Sequence, residues 1–528
     1  MAITVSGYTN DTATGGGTWL DYGGGGGSGA NTDVFLSSTG SRARKVSNGI
    51  KGFAFDLGAS GTDISGDVVA VRWLVTGGIG LLDTLANSGV VLRVQDTSGN
   101  YSDWAIDGSD TYAGGWKVST VSMSKTPTSN SGTAATLTAA RYIGIVWDMT
   151  AGVGGGDPNC YIDMISRWPD AGLTISGNST ALVADLQAWD DATSPAPALK
   201  GVFETIAGFT RSNAPLILTP DASDFISTGE RLVFRDPTYY DGTNTDSALS
   251  AQGITSSDAD SINFTRMLLL AWATPGVTTS KPRSLDFSSA GDFNLDTCLV
   301  YGFDDTVAIE LGGTGNTCSF TSFFNCGQIS DTGCVISDCD FYNTTDADGA
   351  YLWTTSTDMV DCRFFSDGTG HGIDMASAPT DPSTTDFDNI VAVSYGANDT
   401  ANAFVDNNTG HDVLIASLNG STGITVNTTT NTTVQASVNV VFNGIVSGSR
   451  LYIEAAETVG SVTIGDELLN VQVNTDPYTY VHSYEGELDV TYNVRNASPP
   501  PPYYKAAGGT GTISALGVSF NIQQVLDE

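Results

Sequence analysis

The sequence predicts an all-β chain, and three observations carry that prediction. Its acidic residues divide into 49 Asp and 9 Glu, the first glutamate being Glu204. Aspartate favours turns and caps, whereas glutamate favours helix interiors. Glycine supplies 62 of the 528 residues, alongside abundant Ser, Thr and Asn. Short apolar runs alternate with these turn formers along the chain, and one stretch alone keeps helical spacing. At ~150 residues per domain the length accommodates three to four domains. The reading is an N-terminal β-sandwich, a central parallel β-helix-like repeat and a C-terminal immunoglobulin-like β-sandwich.

Residues 1–180 form the first sandwich. Val68-Val69-Ala70-Val71-Arg72-Trp73-Leu74-Val75, Val90-Val91-Leu92-Arg93-Val94 and Tyr142-Ile143-Gly144-Ile145-Val146-Trp147 read as short strands between Gly/Ser/Asp loops. The glycine run Gly23 to Gly27 lacks a following helix and a GK[ST] element, so it reads as a loop rather than a phosphate cradle. Residues 181–209 are a connector with a short helix. Leu182, Leu186 and Trp189 keep helical spacing until Pro195 and Pro197 end it.

Residues 210–428 carry a weak repeat. Thr297-Cys298-Leu299-Val300-Tyr301-Gly302-Phe303 echoes Thr317-Cys318-Ser319-Phe320-Thr321-Ser322-Phe323, with looser copies at Val335 to Phe341 and Val360 to Phe365. Phe303, Phe323, Phe341 and Phe364 then mark coils of a parallel β-helix, and the clustered cysteines form an interior ladder. From 429 to 528 alternation is clean again, at Val438/Val440/Phe442, Leu451/Ile453, Val462/Ile464 and Leu488/Val490/Tyr492/Val494. Pro499 to Pro502 reads as a rigid loop inside this sandwich.

Charge and cysteine usage bound the partners. A net charge of −37 repels nucleic-acid phosphates and anionic lipid. The one basic cluster, Arg42, Arg44 and Lys45, is a solvated turn on this reading. Neither nucleic-acid binding nor membrane insertion is expected, since no apolar run approaches the ~18 residues needed to span a bilayer. The N-terminal residues show no secretion signal, and assembly in a cytoplasm is expected. The seven cysteines contain no CxxC pair and the three histidines, His371, His411 and His482, lie far apart. No metal, cofactor or disulfide framework is expected, and the thiols read as small core residues.

One constellation points to chemistry. Gly302-Phe303-Asp304-Asp305 and Gly370-His371-Gly372 resemble elements of polygalacturonase-type glycoside hydrolases, parallel β-helices that act through clustered carboxylates. The resemblance implies catalytic roles for Asp304, Asp305 and His371. Asp305 and His371 are 66 residues apart, about three coils, and no basic Arg-x-Lys element follows. Turn preferences of Gly and Asp make corner residues the favoured reading, and no catalysis is expected. The acidic groups Asp346, Asp348 and Asp358, and Asp381, Asp386 and Asp388, have the chemistry for Ca²⁺ or for acid and base roles, but acids are common throughout the chain and Asp346 to Gly349 lacks the Glu that closes an EF-hand loop.

The order of parts, with Asn443 to Ile453, Tyr478-Thr479-Tyr480 and Leu488 to Arg495 in the last sandwich, resembles tailed-bacteriophage virion proteins: a tail fibre, tailspike or head fibre. That resemblance implies a homotrimer in the virion, contacting other virion proteins and a host cell-surface glycan or receptor. The alternative it leaves open is a tailspike depolymerase cleaving host polysaccharide. Phe324, Tyr342, Leu352 and Trp353 are the residues expected on the outer, subunit-facing side of the repeat.

Overall fold

The computed structural model describes residues 3–12, 19–22, 29–31, 41–45, 50–75, 82–83, 90–107, 117–149, 159–191, 202–206, 208–235, 252–256, 261–272, 283–304, 307–354, 358–375, 383–418, 421–459, 462–484, 488–496, 504–514 and 517–526. It is all-β, about 60% strand and 3% helix, and includes a parallel β-helix-like region. The chain divides into two compact units, Met1–Val335 and Ile336–Glu528.

The first unit opens with two antiparallel sheets. One contains Tyr101–Asp107, Val90–Asp96, Ala140–Met149 and Lys51–Asp56; the other contains Lys117–Ser122, Asp67–Val75 and Asn159–Pro169. β-branched and aromatic residues favour such half-buried strands. Val69, Val71 and Trp73 from one sheet and Phe53, Leu92, Trp104 and Trp147 from the other close a common core. At roughly 1.5–3 kcal/mol for each large side chain removed from water, this cluster is the main stabilising contribution here. A buried bidentate pair, Arg93 Nε and Nη2 to Asp103 at 2.6 and 2.7 Å, bridges neighbouring strands, and the guanidinium lies over the Tyr101 ring.

The predicted helix is Leu182–Asp191, and its first turn is capped from a distance. Glu230 accepts from the amides of Val183 and Ala184, satisfying donors that a helix start leaves open. Asp190 near the other end accepts from the amides of Val202 and Phe203, which leads the chain into the coils.

Each coil in this unit has three short strands and a tight corner between the first two. Phe264, Leu295 and Cys318 occupy one inward column, Leu269, Val300 and Phe323 a second, and Leu285, Ile309 and Ile329 a third. At the corner stands one residue at positive φ: Arg266 (55°), Thr297 (56°) and Phe320 (50°). Its amide donates to the next coil, Arg266 to the Asp296 carbonyl at 2.8 Å and Thr297 to the Ser319 carbonyl at 2.9 Å. The residue that follows turns inward, and at two of these corners it ties its own side chain to the carbonyl two residues back. Cys298 Sγ donates to Asp296 at 3.3 Å, and Thr321 Oγ1 to Ser319 at 3.0 Å.

This corner corrects the register of the expected repeat. Val300, not Phe303, is the partner of Phe323, and Cys318 pairs with Leu295. Phe303 lies beyond a second corner at Gly302, against Phe234. The identical Thr-Cys and Phe letters had aligned the copies three residues out of register. The backbone aligns them on the left-handed residue.

The second unit contains coils of the same kind. Corners fall at Asp338, Asp361 and Asn389, with φ of 53°, 55° and 51°. Cys339 and Cys362 follow two of them and donate to Ser337 and Val360, each at 3.2 Å. Phe341 pairs with Phe364, their rings stacked 4.4 Å apart. All seven cysteines are buried free thiols. Burial pushes Cys298 and Cys326 up to about 12, well outside the reactive range.

The strand Thr432–Asn443 serves two layers. Its first half extends the coils by parallel pairing with Val413–Leu418; its second half pairs antiparallel with Tyr478–Tyr484 and parallel with Val518–Asn521. A second sheet of Glu467–Val473, Ser449–Ala455, Leu488–Asn496 and Ala507–Ile513 completes a sandwich around Phe442, Leu451, Ile453 and Val490. Two expectations fail locally. Ile464 is exposed beside a turn at Gly465, and Trp353 is buried, donating from Nε1 to Thr385 at 2.7 Å. Gly23 to Gly27, Tyr239-Tyr240, Asp305, Asp381 and Pro499 to Pro502 lie outside the described residues.

Phe320 isolates the corner's backbone requirement, because its side chain is 59% exposed and gives up little packing when changed. A left-handed L-residue costs roughly 1–2 kcal/mol, partly recovered by Gly. Phe320→Gly should therefore leave the thermal midpoint unchanged or raise it. Phe320→Val, β-branched at positive φ, should lower it by an amount equivalent to about 1–2 kcal/mol.

Candidate functional site

The second unit gathers a histidine and several carboxylates at one edge of its coils. Two successive coils there each end a two-residue strand in aspartate. Ile373–Asp374 pairs in parallel with Val405–Asp406, so Asp374 and Asp406 stand in register. In-register strands lie about 4.8 Å apart, which brings two like charges onto neighbouring rungs.

The glycines around His371 are there for close packing. Gly370 has φ +67°, and a Cβ on it would lie 2.9 Å from the Asp346 carbonyl oxygen. A Cβ on Gly372 would stand 2.2 Å from the Phe404 ring, so only glycine admits that ring. His371 is fixed between them. Its Nδ1 is 2.6 Å from the Ala403 carbonyl oxygen, which can only accept, so Nδ1 carries the proton. Nε2 then faces Asp406 Oδ2 at 3.9 Å.

The remaining contacts surround Asp406. The Asn408 and Asn427 side-chain amides donate to its two oxygens. Burial raises its pKa from the ordinary aspartate value; His371 opposes the rise, and Asp374 and Asp348 add to it. Asp346 is also raised, first by burial, with the charges of Asp348 and Asp374 contributing. His371, Asp374 and Asp406 are 7%, 4% and 4% exposed, so the arrangement is nearly closed to solvent.

Asp304 has a different setting, in the first unit. Its carboxylate is held by both Nε and Nη2 of Arg283, itself 5% exposed. That pairing neutralises a buried guanidinium, a structural task. Asp304 and His371 thus have separate partner sets, Arg283 for one and Ala403 and Asp406 for the other. Among the described residues no group of three His, Cys, Asp or Glu side chains is arranged to hold a metal ion.

The sequence reading singled out His371 but passed over Asp374 and Asp406. Their signal was present as two strand ends of one type, Gly372-Ile373-Asp374 and Phe404-Val405-Asp406. With the aspartates 32 positions apart, a coil of irregular length hid the match.

The facing carboxylates give a pH-dependent prediction. A raised folded pKa means the native state holds its proton more tightly, so stability falls as pH rises from the ordinary carboxylate value through the folded one. Asp374→Asn removes one of the charges that press on Asp406. Its thermal midpoint should exceed that of the wild type at pH 7–8 by about 2–4 °C, the shift expected for about 1 kcal/mol. The gain should shrink as pH falls and Asp406 takes up its proton; differential scanning calorimetry from pH 8 down to pH 4 checks it.

No protein-family model matches the chain, and no curated protein matches it. Among solved structures, the chain aligns with one described as the structural analysis of an exo-beta-agarase, at 13% identity and a TM-score of 0.19. The match covers 31% of this chain and 23% of that one.

Proposed function

We propose that this chain is a structural protein of a bacteriophage particle, a surface-exposed homotrimeric fibre or spike that takes part in host attachment. The observation that carries the reading is the outward face of the coils. Tyr301 pairs in register with Phe324 in the first unit, and Tyr301 is 38% exposed. In the second unit the Tyr342 and Phe365 rings stack 4.5 Å apart on the corresponding outer strand, neither fully buried. Aromatic columns of this kind on a rigid sheet are normally covered, and symmetry-related copies are the simplest cover. Light scattering of the purified protein should give three times 54.8 kDa. Tyr342→Glu with Phe365→Glu should drive it towards monomer. A wild-type monomer at micromolar concentration defeats the trimer reading. Adsorption of the protein to host cells tests attachment separately.

A second reading, a depolymerase of host polysaccharide, is favoured by one observation: His371 beside the in-register pair Asp374 and Asp406. A retaining glycosidase needs two carboxyls about 5–5.5 Å apart, which neighbouring rungs can provide. Against it stands access, because a glycosidic oxygen cannot reach carboxylates that are 4% exposed. Incubation with capsule or lipopolysaccharide from a susceptible host should therefore release no new reducing ends. Release abolished by Asp374→Asn or Asp406→Asn would promote the enzyme. Asp304→Asn with Asp305→Asn should leave host binding unchanged.

A further inference from the structure

We propose that the outer face of the four-stranded sheet in the C-terminal sandwich binds a carboxylate-bearing polysaccharide through Arg450 and Arg495. This names a ligand class for the attachment reading and rests on it.

The strands Ser449–Ala455 and Leu488–Asn496 run antiparallel, and their register sets Arg450 directly opposite Arg495. Like charges directly opposite each other on a sheet are destabilising. Several other arginines of the chain are ion-paired: Arg93 meets Asp103, Arg141 meets Asp56, Arg283 meets Asp304 and Arg363 meets Asp340. The facing pair has no such partner among the described residues. Arg450 uses Nε to donate to Asn470 Oδ1 at 2.6 Å, which leaves its two terminal nitrogens without an acceptor among the described residues. Arg495 has no hydrogen-bond or ion-pair partner among the described residues. In a protein of net charge −37, acids were available for the purpose.

The surroundings suit a sugar chain. Arg450, Tyr452, Asn470, Asn493 and Arg495 line an open depression of about 640 Å³. Tyr452 stands opposite Asn493, and its hydroxyl donates to Glu454 at 3.0 Å, which holds the ring in place as a stacking surface. The next strand brings Gly508 opposite Asn493, where a Cβ would lie 2.7 Å from Asn493 Oδ1; its absence keeps this side of the depression open. The acidic groups Glu454 and Glu467 lie at the Tyr452 end of the face, where they accept from Tyr452 and Asn470. A guanidinium's planar fork matches a carboxylate, and two forks side by side match a repeating uronate better than a neutral glycan.

The test is calorimetric titration of the full-length protein with sodium polygalacturonate, its methyl ester and neutral dextran as probes. The expected result is binding of polygalacturonate alone, weakened at least tenfold in Arg450→Ala and in Arg495→Ala and weakened further by added salt. The double variant should keep or raise its thermal midpoint, since it loses a repulsion and no buried contact. Equal binding of the ester or dextran overturns the proposal, as does unchanged polygalacturonate binding in the double variant or none by the folded wild type. Host-cell adsorption is scored in parallel. Adsorption without polyuronate binding defeats this inference alone; polyuronate binding without adsorption defeats the attachment reading alone.

Discussion

Left-handed residues at the corners of each coil, with their amides bonded to the next coil, are the constraint on which the repeat depends. A corner this tight brings two strands onto different sheets within a single residue. It also leaves a peptide donor facing along the stack. Arg266 to Asp296, Thr297 to Ser319 and, in the second unit, Asp338 to Val360 and Asp361 to Asp388 all use that donor in the same way. Since every non-glycine residue there carries a backbone cost of about 1–2 kcal/mol, the inter-coil bond and the packing behind it must outweigh that cost at each level.

The corner also accounts for the cysteines. The position after the bend points into a narrow interior angle beside a carbonyl two residues back. Met267 and Ile390 fill it by bulk after Arg266 and Asn389, and at the other corners it holds a small side chain with one donor. Cysteine meets both needs at 298, 339 and 362, and threonine meets them at 321, with sulfur or oxygen 3.0–3.3 Å from the carbonyl. Cys326 repeats the arrangement after Asn325 at the second corner, donating to Phe324 at 3.4 Å. Crowded cysteines in this chain are thus a geometric consequence of turning. The raised pKa values of Cys298, Cys326 and Cys362 follow from the same burial.

This explains how far the sequence could be read. Fold class was legible because turn chemistry and alternation are local properties, visible in Asp, Gly and the Val/Ile runs. The coil's existence was legible from the repeated cysteine. Its register was not, because Arg266, Thr297, Phe320, Asp338 and Asn389 share a backbone conformation and no chemistry. The site was legible only in part for a related reason. The glycines flanking His371 were read as turn formers, yet Gly372 is required by the Phe404 ring of the next coil, a contact between residues 32 apart. Asp374 and Asp406 meet only because the intervening coil closes, and nothing in either segment states its length.

Two charged constellations in the second unit show opposite uses of uncompensated charge. Around Asp406 like charges are buried, and the structure absorbs them with two amide donors, a histidine and a raised pKa. A group so enclosed can be tuned but cannot be visited. At Arg450 and Arg495 like charges are left in solvent, where screening makes repulsion cheap and an incoming anion meets little desolvation cost. Burial without access favours a structural role, whereas exposure without a partner favours binding. By that criterion burial favours a framework role for the His371 cluster, and the exposed arginine pair on the sandwich face is the place proposed for recognition.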